Sequence, residues 1–199
     1  MPLDSYPESR HQDTDDCPFC NIAASFPPFD PLQPPASSDP LLSPQRTSPN
    51  TETFIVLSTP SVMAFLDIAP LSEGHLLLCP RMHREKLTSL DDNEAGELGR
   101  WLRMISQALM HAVGIDDWNV VQNNGAAAAQ IVPHTHFHII PRPDIRRQGR
   151  WSEKFTMFGR GQRTDLDEQE GVRLAEKVRA SLAAVLRESR AAKPTAGKL

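Results

Sequence analysis

The run His134-Thr135-His136-Phe137-His138-Ile139-Ile140-Pro141 decides how this chain is read. In an extended strand successive side chains point to opposite faces, so His134, His136 and His138 fall on one face and Thr135, Phe137 and Ile139 on the other. Same-face neighbours sit about 6.5–7 Å apart at a rise of roughly 3.3 Å per residue. Each imidazole has two polar nitrogens that need partners when buried, so packing alone does not account for three of them. The apolar face is expected against a core. The histidine face is left for chemistry, at a phosphate or at a metal, since His-x-His on a strand is also a ligand arrangement. The isolated His11 and His111 read as exposed or satisfied residues.

Working outward, the stretches 54–58 (FIVLS), 62–68 (VMAFLDI), 74–80 (GHLLLCP) and 118–123 (WNVVQN) are short, rich in Val, Ile, Leu and Phe, and bounded by Pro, Gly, Asn or Asp, which are strand signals. A long helix interrupts them. It starts at Asp91 and Glu94, spaced as a capping box, continues through Leu98, Trp101, Leu102, Ile105 and Leu109, and ends near Gly114. A second helix is expected from about Asp165 to Arg190, with Leu174, Val178, Leu182 and Val185 on one face. Strands outnumber helices without regular alternation, so the fold class is α+β. Between Phe26 and Thr51 eight prolines fall with no helical or alternating period. Proline lacks an amide donor and restricts its neighbour, so this stretch is read as a disordered, flexible insertion, a linker more than a docking motif.

The chain has 199 residues, with 21 Lys+Arg against 25 Asp+Glu and a formal charge of −4. Hydrophobic residues make up 39%, enough for one domain with unstructured extras: residues 1–16 as a disordered N-terminus, 17–165 as the folded domain, and 166–199 as a C-terminal helix and tail. A mildly acidic chain has no global excess of cations with which to displace counterions from a duplex, so nucleic acid is a poor partner. The first sixteen residues lack the basic start and apolar stretch of a secretory signal, and apolar runs of about five residues fall short of the roughly 20 of a membrane span. Three cysteines are too few for a disulfide framework and point to a reducing compartment, the cytoplasm or the nucleus. Cys17-Pro18-Phe19-Cys20 is a pair able to grip zinc, with redox chemistry or a chance pair as rivals. Cys79 reads as a buried inert thiol. In residues 142–163, Arg142, Arg146, Arg147, Arg150, Lys154, Arg160 and Arg163 face only Asp144 and Glu153, interleaved with Trp151, Phe155 and Phe158. This segment suits polyphosphate or an RNA end, or, as the favoured reading, a solvated surface with core aromatics.

The triad run resembles the His-x-His-x-His signature of the histidine triad superfamily of nucleotide hydrolases and transferases. The resemblance extends to Gln122-Asn123-Asn124-Gly125, Ala129-Gln130-Ile131-Val132, Phe65-Leu66-Asp67-Ile68, Gly74-His75 and Cys17-Pro18-Phe19-Cys20, covering about 17–25 and 52–145. It implies a small antiparallel sheet with one long helix packed on it, paired as a homodimer. It also implies catalysis through a covalent nucleotidyl-histidine at the α-phosphate, with His136 as nucleophile and His138, His134 and His75 around it. By the same resemblance Asp67 receives the ribose hydroxyls, Leu66 and Ile68 wall the base, and Asn123, Gln130 and Ile131 approach ribose and phosphate. Zinc, structural and closed, is implied on Cys17, Cys20, His83 and His134, with no organic cofactor. Asp67-Ile68 and Gly74-His75 look more like the adenosine 5′-monophosphoramidase branch; a diadenosine polyphosphate hydrolase or phosphorylase and a non-catalytic nucleotide-binding or scaffold protein are the alternatives. The substrate implied is a small purine nucleotide, and no membrane is involved. Two positions depart from the family: Ala129 stands for a glycine, and Ile131 for a Ser or Thr whose hydroxyl would lie near the phosphate.

Overall fold

Five short strands form one antiparallel sheet in the order β1-β2-β3-β5-β4. They are β1 (Ile55–Ser58), β2 (Val62–Leu66), β3 (Leu76–Pro80), β4 (Trp118–Gln122) and β5 (Phe137–Pro141). The computed structural model describes residues 16–49, 51–142 and 165–192. The N-terminal stretch before Asp16, the tail after Ala192, and the residues Arg146, Arg147, Arg150, Lys154, Arg160 and Arg163 lie outside the described residues.

Every residue of β1, β2 and β3 is buried, because both faces of the sheet are covered. On one face Val62, Ala64, Leu66, Leu76 and Leu78 meet α2 (Asp92–Val113) and α3 (Glu168–Ala191). On the other Met63, Phe65, Leu77 and Cys79 meet α1 (Pro18–Ser25). Double coverage is why these strands read as continuous apolar runs with no alternation. The fold is α+β, as the sequence indicates.

The helix ends follow their capping residues. Asp91 accepts from the Glu94 amide while the Glu94 carboxylate accepts from the Asp91 amide, and Gly114 closes α2 in the left-handed region at φ 70°. α3 begins at Glu168, a few residues later than expected, because the Asp167 carboxylate accepts from the Gln169 and Glu170 amides. Leu174, Val178, Leu182 and Val185 are all buried. Gly171 lets α3 sit on the sheet, since a Cβ there would come within 2.6 Å of the Phe54 ring. Among the described residues no helix is long and apolar enough to cross a membrane.

Two expectations are corrected. The extended pairing of the triad run starts at Phe137, so of the three only His138 lies within β5 while His134 and His136 precede it, although all three rings stay on the α1 side of the sheet. Pro133 supplies no amide, the Thr135 amide bonds the Arg84 carbonyl at 2.5 Å, and the chain enters the ladder only afterwards. The proline-rich stretch is not a disordered insertion over its described residues. It forms two 3₁₀ turns, Pro40–Leu42 and Pro44–Thr47, each with proline in its first turn, and buries Phe26, Leu42 and Thr47. Proline forbids the ladder but presets φ for such turns. Side chains then supply the missing donors: Arg179, buried on α3, donates to the Ile55 carbonyl at 2.7 Å and to Ser37 Oγ at 3.0 Å, and Arg187 donates to the Leu32 carbonyl at 2.9 Å.

Candidate active site and metal-binding cluster

α1 brings Cys17, at its N-cap, and Cys20, in its first turn, to His83 in the loop after β3 and His134 in the approach to β5. Cys17 Sγ lies 3.4 Å from His134 Nδ1, Cys20 Sγ 3.4 Å from His83 Nδ1, and Cys20 Sγ 3.8 Å from His134 Nδ1. Zinc bonds of about 2.3 Å to sulfur and 2.0–2.1 Å to nitrogen place tetrahedral S···N edges at about 3.5 Å, so the cluster has the size of a zinc site. His134 Nε2–H donates to the Pro80 carbonyl at 2.9 Å, which leaves the Nδ1 lone pair aimed at the sulfurs. Burial pulls the His134 imidazole down to about 4, so it is neutral at pH 7, and burial with the adjacent Cys17 pushes the Cys20 thiol up to about 12. A cation between the four groups removes that cost, because it holds thiols as thiolates. The residues present therefore fit zinc.

The other two triad histidines line a cleft of about 820 Å³ on the α1 face of the sheet. His136 Nδ1–H donates to the His134 carbonyl at 2.6 Å, which fixes the tautomer and leaves Nε2 with its lone pair. Burial lowers its pKa below the ordinary imidazole value, partly opposed by that hydrogen bond, so the neutral form prevails at pH 7. The His136 and His138 rings meet edge to face with centroids 4.9 Å apart. Behind His138 stands His75, fully buried. The Leu71 amide approaches His75 Nδ1 at 3.2 Å, and His75 Nε2 and His138 Nδ1 share a hydrogen bond at 2.9 Å. Asp67 Oδ2 lies 3.3 Å from His75 Nδ1, ready to pair with a protonated His75. Asp67 Oδ1 accepts from the Ala69 amide at 2.9 Å. The arrangement thus offers a nucleophilic nitrogen on His136 beside a second imidazole able to exchange a proton.

Gly74 makes this placement possible. At φ 84° it sits where a Cβ would come within 2.9 Å of Val113 on α2, so the chain can turn tightly against the helix just before His75.

Residues 48–145 match the HIT domain family. Over 114 residues the chain is 36% identical to an uncharacterised HIT-like protein of Methanocaldococcus jannaschii, covering 57% of this chain and 83% of that one. The chain belongs to the HIT family. Over 82 residues this HIT protein is also 43% identical to the adenosine 5′-monophosphoramidase of Schizosaccharomyces pombe, a match that covers 41% of this chain and only 59% of that relative. Among solved structures, a zinc-bound histidine triad family protein from Mycobacterium smegmatis aligns with a TM-score of 0.58 at 25% identity, over 88% of this chain and 99% of that one.

Within this HIT domain the cleft collects His136, His138, Asp67, Ile68, Leu66 and Asn123, as the motif reading groups them. His134 is not with them: its ring joins the cysteines, so the triad serves two places. Gln130 is a second correction. Its side chain is buried and spent on the scaffold, Oε1 accepting from the Gly125 amide at 2.6 Å and Nε2 donating to the Glu85 carbonyl at 2.7 Å, and it does not line the cleft. Ile131 is at the cleft wall and 91% exposed. Ala129 adopts φ 63°, the left-handed conformation that a glycine takes at no cost. Motif reading missed Phe19 and Ile22 of α1, which wall the cleft; the Phe19 ring stands edge-on to His136 at 5.2 Å and to His134 at 5.6 Å. Tying the two cysteines to His134 would have carried Phe19 there. Glu52, also in the wall, had no signal in any motif.

Proposed function

We propose that this HIT protein hydrolyses nucleoside 5′-monophosphoramidates through a nucleotidyl-histidine intermediate, with adenosine 5′-monophosphoramidate as the reference substrate suggested by the S. pombe relative. The observation that carries the reading is the lone pair left on His136 Nε2 by the hydrogen bond from its Nδ1–H to the His134 carbonyl, with the His138 ring 4.9 Å away in the same cleft. His136 Nε2 attacks the α-phosphorus, a P–N bond forms, and the substrate's own P–N bond breaks as the leaving amine takes the His138 proton. Water then attacks the phosphohistidine and releases the nucleoside monophosphate. Asp67 accepts the ribose hydroxyls. No Lys or Arg stands among the described residues of the cleft, which favours a monophosphoryl substrate over a dinucleoside polyphosphate.

Zinc on Cys17, Cys20, His83 and His134 would be closed by four protein ligands and would act as a cross-link between α1 and the two segments that carry the histidines. We also propose a homodimer. Among the described residues β4 lies at the sheet edge, pairs only with β5, and exposes Trp118 and Val120 at 43% each, so a second copy placed there would cover both the apolar side chains and the open ladder.

The test is mass spectrometry of the protein mixed briefly with adenosine 5′-monophosphoramidate and quenched in alkali. The expected result is one adenylyl adduct mapped to His136, alongside faster turnover of this substrate than of diadenosine tri- or tetraphosphate. Turnover without any acid-labile adduct would overturn the covalent step, and binding of AMP with no turnover of any of the three would favour a scaffold.

A further inference from the structure

The far end of the cleft carries a carboxylate that no motif accounts for. The register rows place His138, Leu77, Phe65 and Ile55 side by side across β5, β3, β2 and β1. Three strand spacings of about 4.8 Å make that row roughly 14 Å long. Residues 51–53 enter the cleft wall just before β1, at the end opposite the histidines and beyond Asp67. A nucleoside monophosphate laid along this row, with its phosphate at His136 and its ribose at Asp67, puts its base against Phe19, Ile22 and Ile68, with its outer edge toward Glu52. Glu52 is half-buried, and among the described residues its carboxylate makes no hydrogen bond or ion pair.

We propose that Glu52 reads the base and makes guanosine the preferred nucleoside over adenosine. The inference rests on the reaction proposed above and concerns only which base that reaction accepts. A carboxylate is acceptor-only, with two oxygens side by side. The Watson–Crick edge of guanine offers two adjacent donors, N1–H and the 2-amino group, which match it in a paired, charge-assisted contact. Adenine offers one donor, the 6-amino group, next to the N1 lone pair, so one carboxylate oxygen would face an acceptor. In a cleft walled by apolar side chains, such a mismatch costs more than in water.

The test compares kcat/KM for guanosine and adenosine 5′-monophosphoramidates, and the Kd of GMP and AMP, in the full chain and in Glu52→Gln. The expected result is at least about a tenfold preference for guanosine in the unmodified protein, one hydrogen bond to a charged group. Glu52→Gln should reverse it, because a carboxamide pairs an acceptor with the adenine amino group and a donor with N1. Equal or adenosine-favoured constants in the unmodified protein, or a guanosine preference that survives in Glu52→Gln, overturn the assignment. Cleavage of neither phosphoramidate, with GMP still binding more tightly than AMP and the order reversing in the variant, would sink the reaction and leave Glu52 as the base reader. Should Glu52→Gln melt before assay, the ratio of the GMP and AMP Kd values in the unmodified protein decides alone.

Discussion

His136 and His75 are both buried imidazoles, but their partners give them different duties. His136 is held by a main-chain carbonyl, so the lone pair on its Nε2 does not depend on any side chain; if that nitrogen is the proposed nucleophile, removing the ring in His136→Ala is expected to cut kcat/KM by about 10³-fold or more while GMP and AMP still bind, checked by steady-state kinetics and calorimetry. His75 acts through His138. Replacing it with Gln keeps a polar group but removes the imidazole that His138 Nδ1 meets at 2.9 Å and that links it to Asp67. Turnover in His75→Gln should fall by about 10²-fold with KM little changed, the split expected when a donor to the leaving group is misplaced. A purely structural His75 would instead lower the melting temperature and raise KM. Gln130 belongs to the same scale with the opposite outcome. Truncation to Ala strands the Gly125 amide and the Glu85 carbonyl, so about 1–3 kcal/mol of stability should be lost in urea unfolding, and the wall at Ile131 loosens with it.

At the level of elements, the sharpest prediction concerns the turn before β3. Gly74→Ala forces a side chain into the left-handed region and against Val113, Leu109 and Pro141, so a loss of about 1–3 kcal/mol is expected in chemical denaturation. His75 rides on that turn, so activity should fall more than stability alone explains. The sequence made the long elements readable because their signals are local: the Asp91 and Glu94 box, Gly114 after the last turn of α2, and apolar strand runs between breakers. The triad run is different. Its alternation promised three imidazoles on one strand, yet where extended pairing begins was settled by Pro133 and by contacts of His134 with cysteines more than a hundred residues earlier. No window of sequence contains that information. The proline-rich stretch misled for a related reason. Its lack of period correctly excludes helix and ladder, but its order comes from Arg179 and Arg187 on α3, far away in the chain. Glu52 had no neighbouring motif and became visible only when β1 closed the end of the cleft.

Across the whole molecule, the Cys17, Cys20, His83 and His134 cluster joins three segments, α1, the loop after β3 and the approach to β5, that are otherwise tied by packing and by a few hydrogen bonds such as Arg81 to the Phe26 carbonyl and the Thr135 amide to the Arg84 carbonyl. The same α1 segment that carries Cys17 and Cys20 supplies Phe19 and Ile22 to the cleft, so the proposed metal cluster and the apolar wall of the cleft share one helix. Metal loss should therefore act on binding before it acts on chemistry. Zinc at a thousandfold excess over its dissociation constant would contribute about 4 kcal/mol to the folded state, and stripping it by a strong chelator should lower Tm by roughly 8–16 °C for a domain of this size. KM should rise with α1 freed, while kcat changes less, since His136 is held by a carbonyl and His138 by His75. Cys17→Ser, Cys20→Ser and His83→Ala each remove one ligand without touching the cleft histidines, and each should lower bound zinc measured by atomic emission and reproduce the chelator's effect on KM. Zinc content equal to the unmodified protein in all three would show that the cluster holds no metal. α1 would then owe its place to the packing of Phe19, Ile22 and Phe26 and to the hydrogen bonds of Arg46 and Arg81 to its last carbonyls.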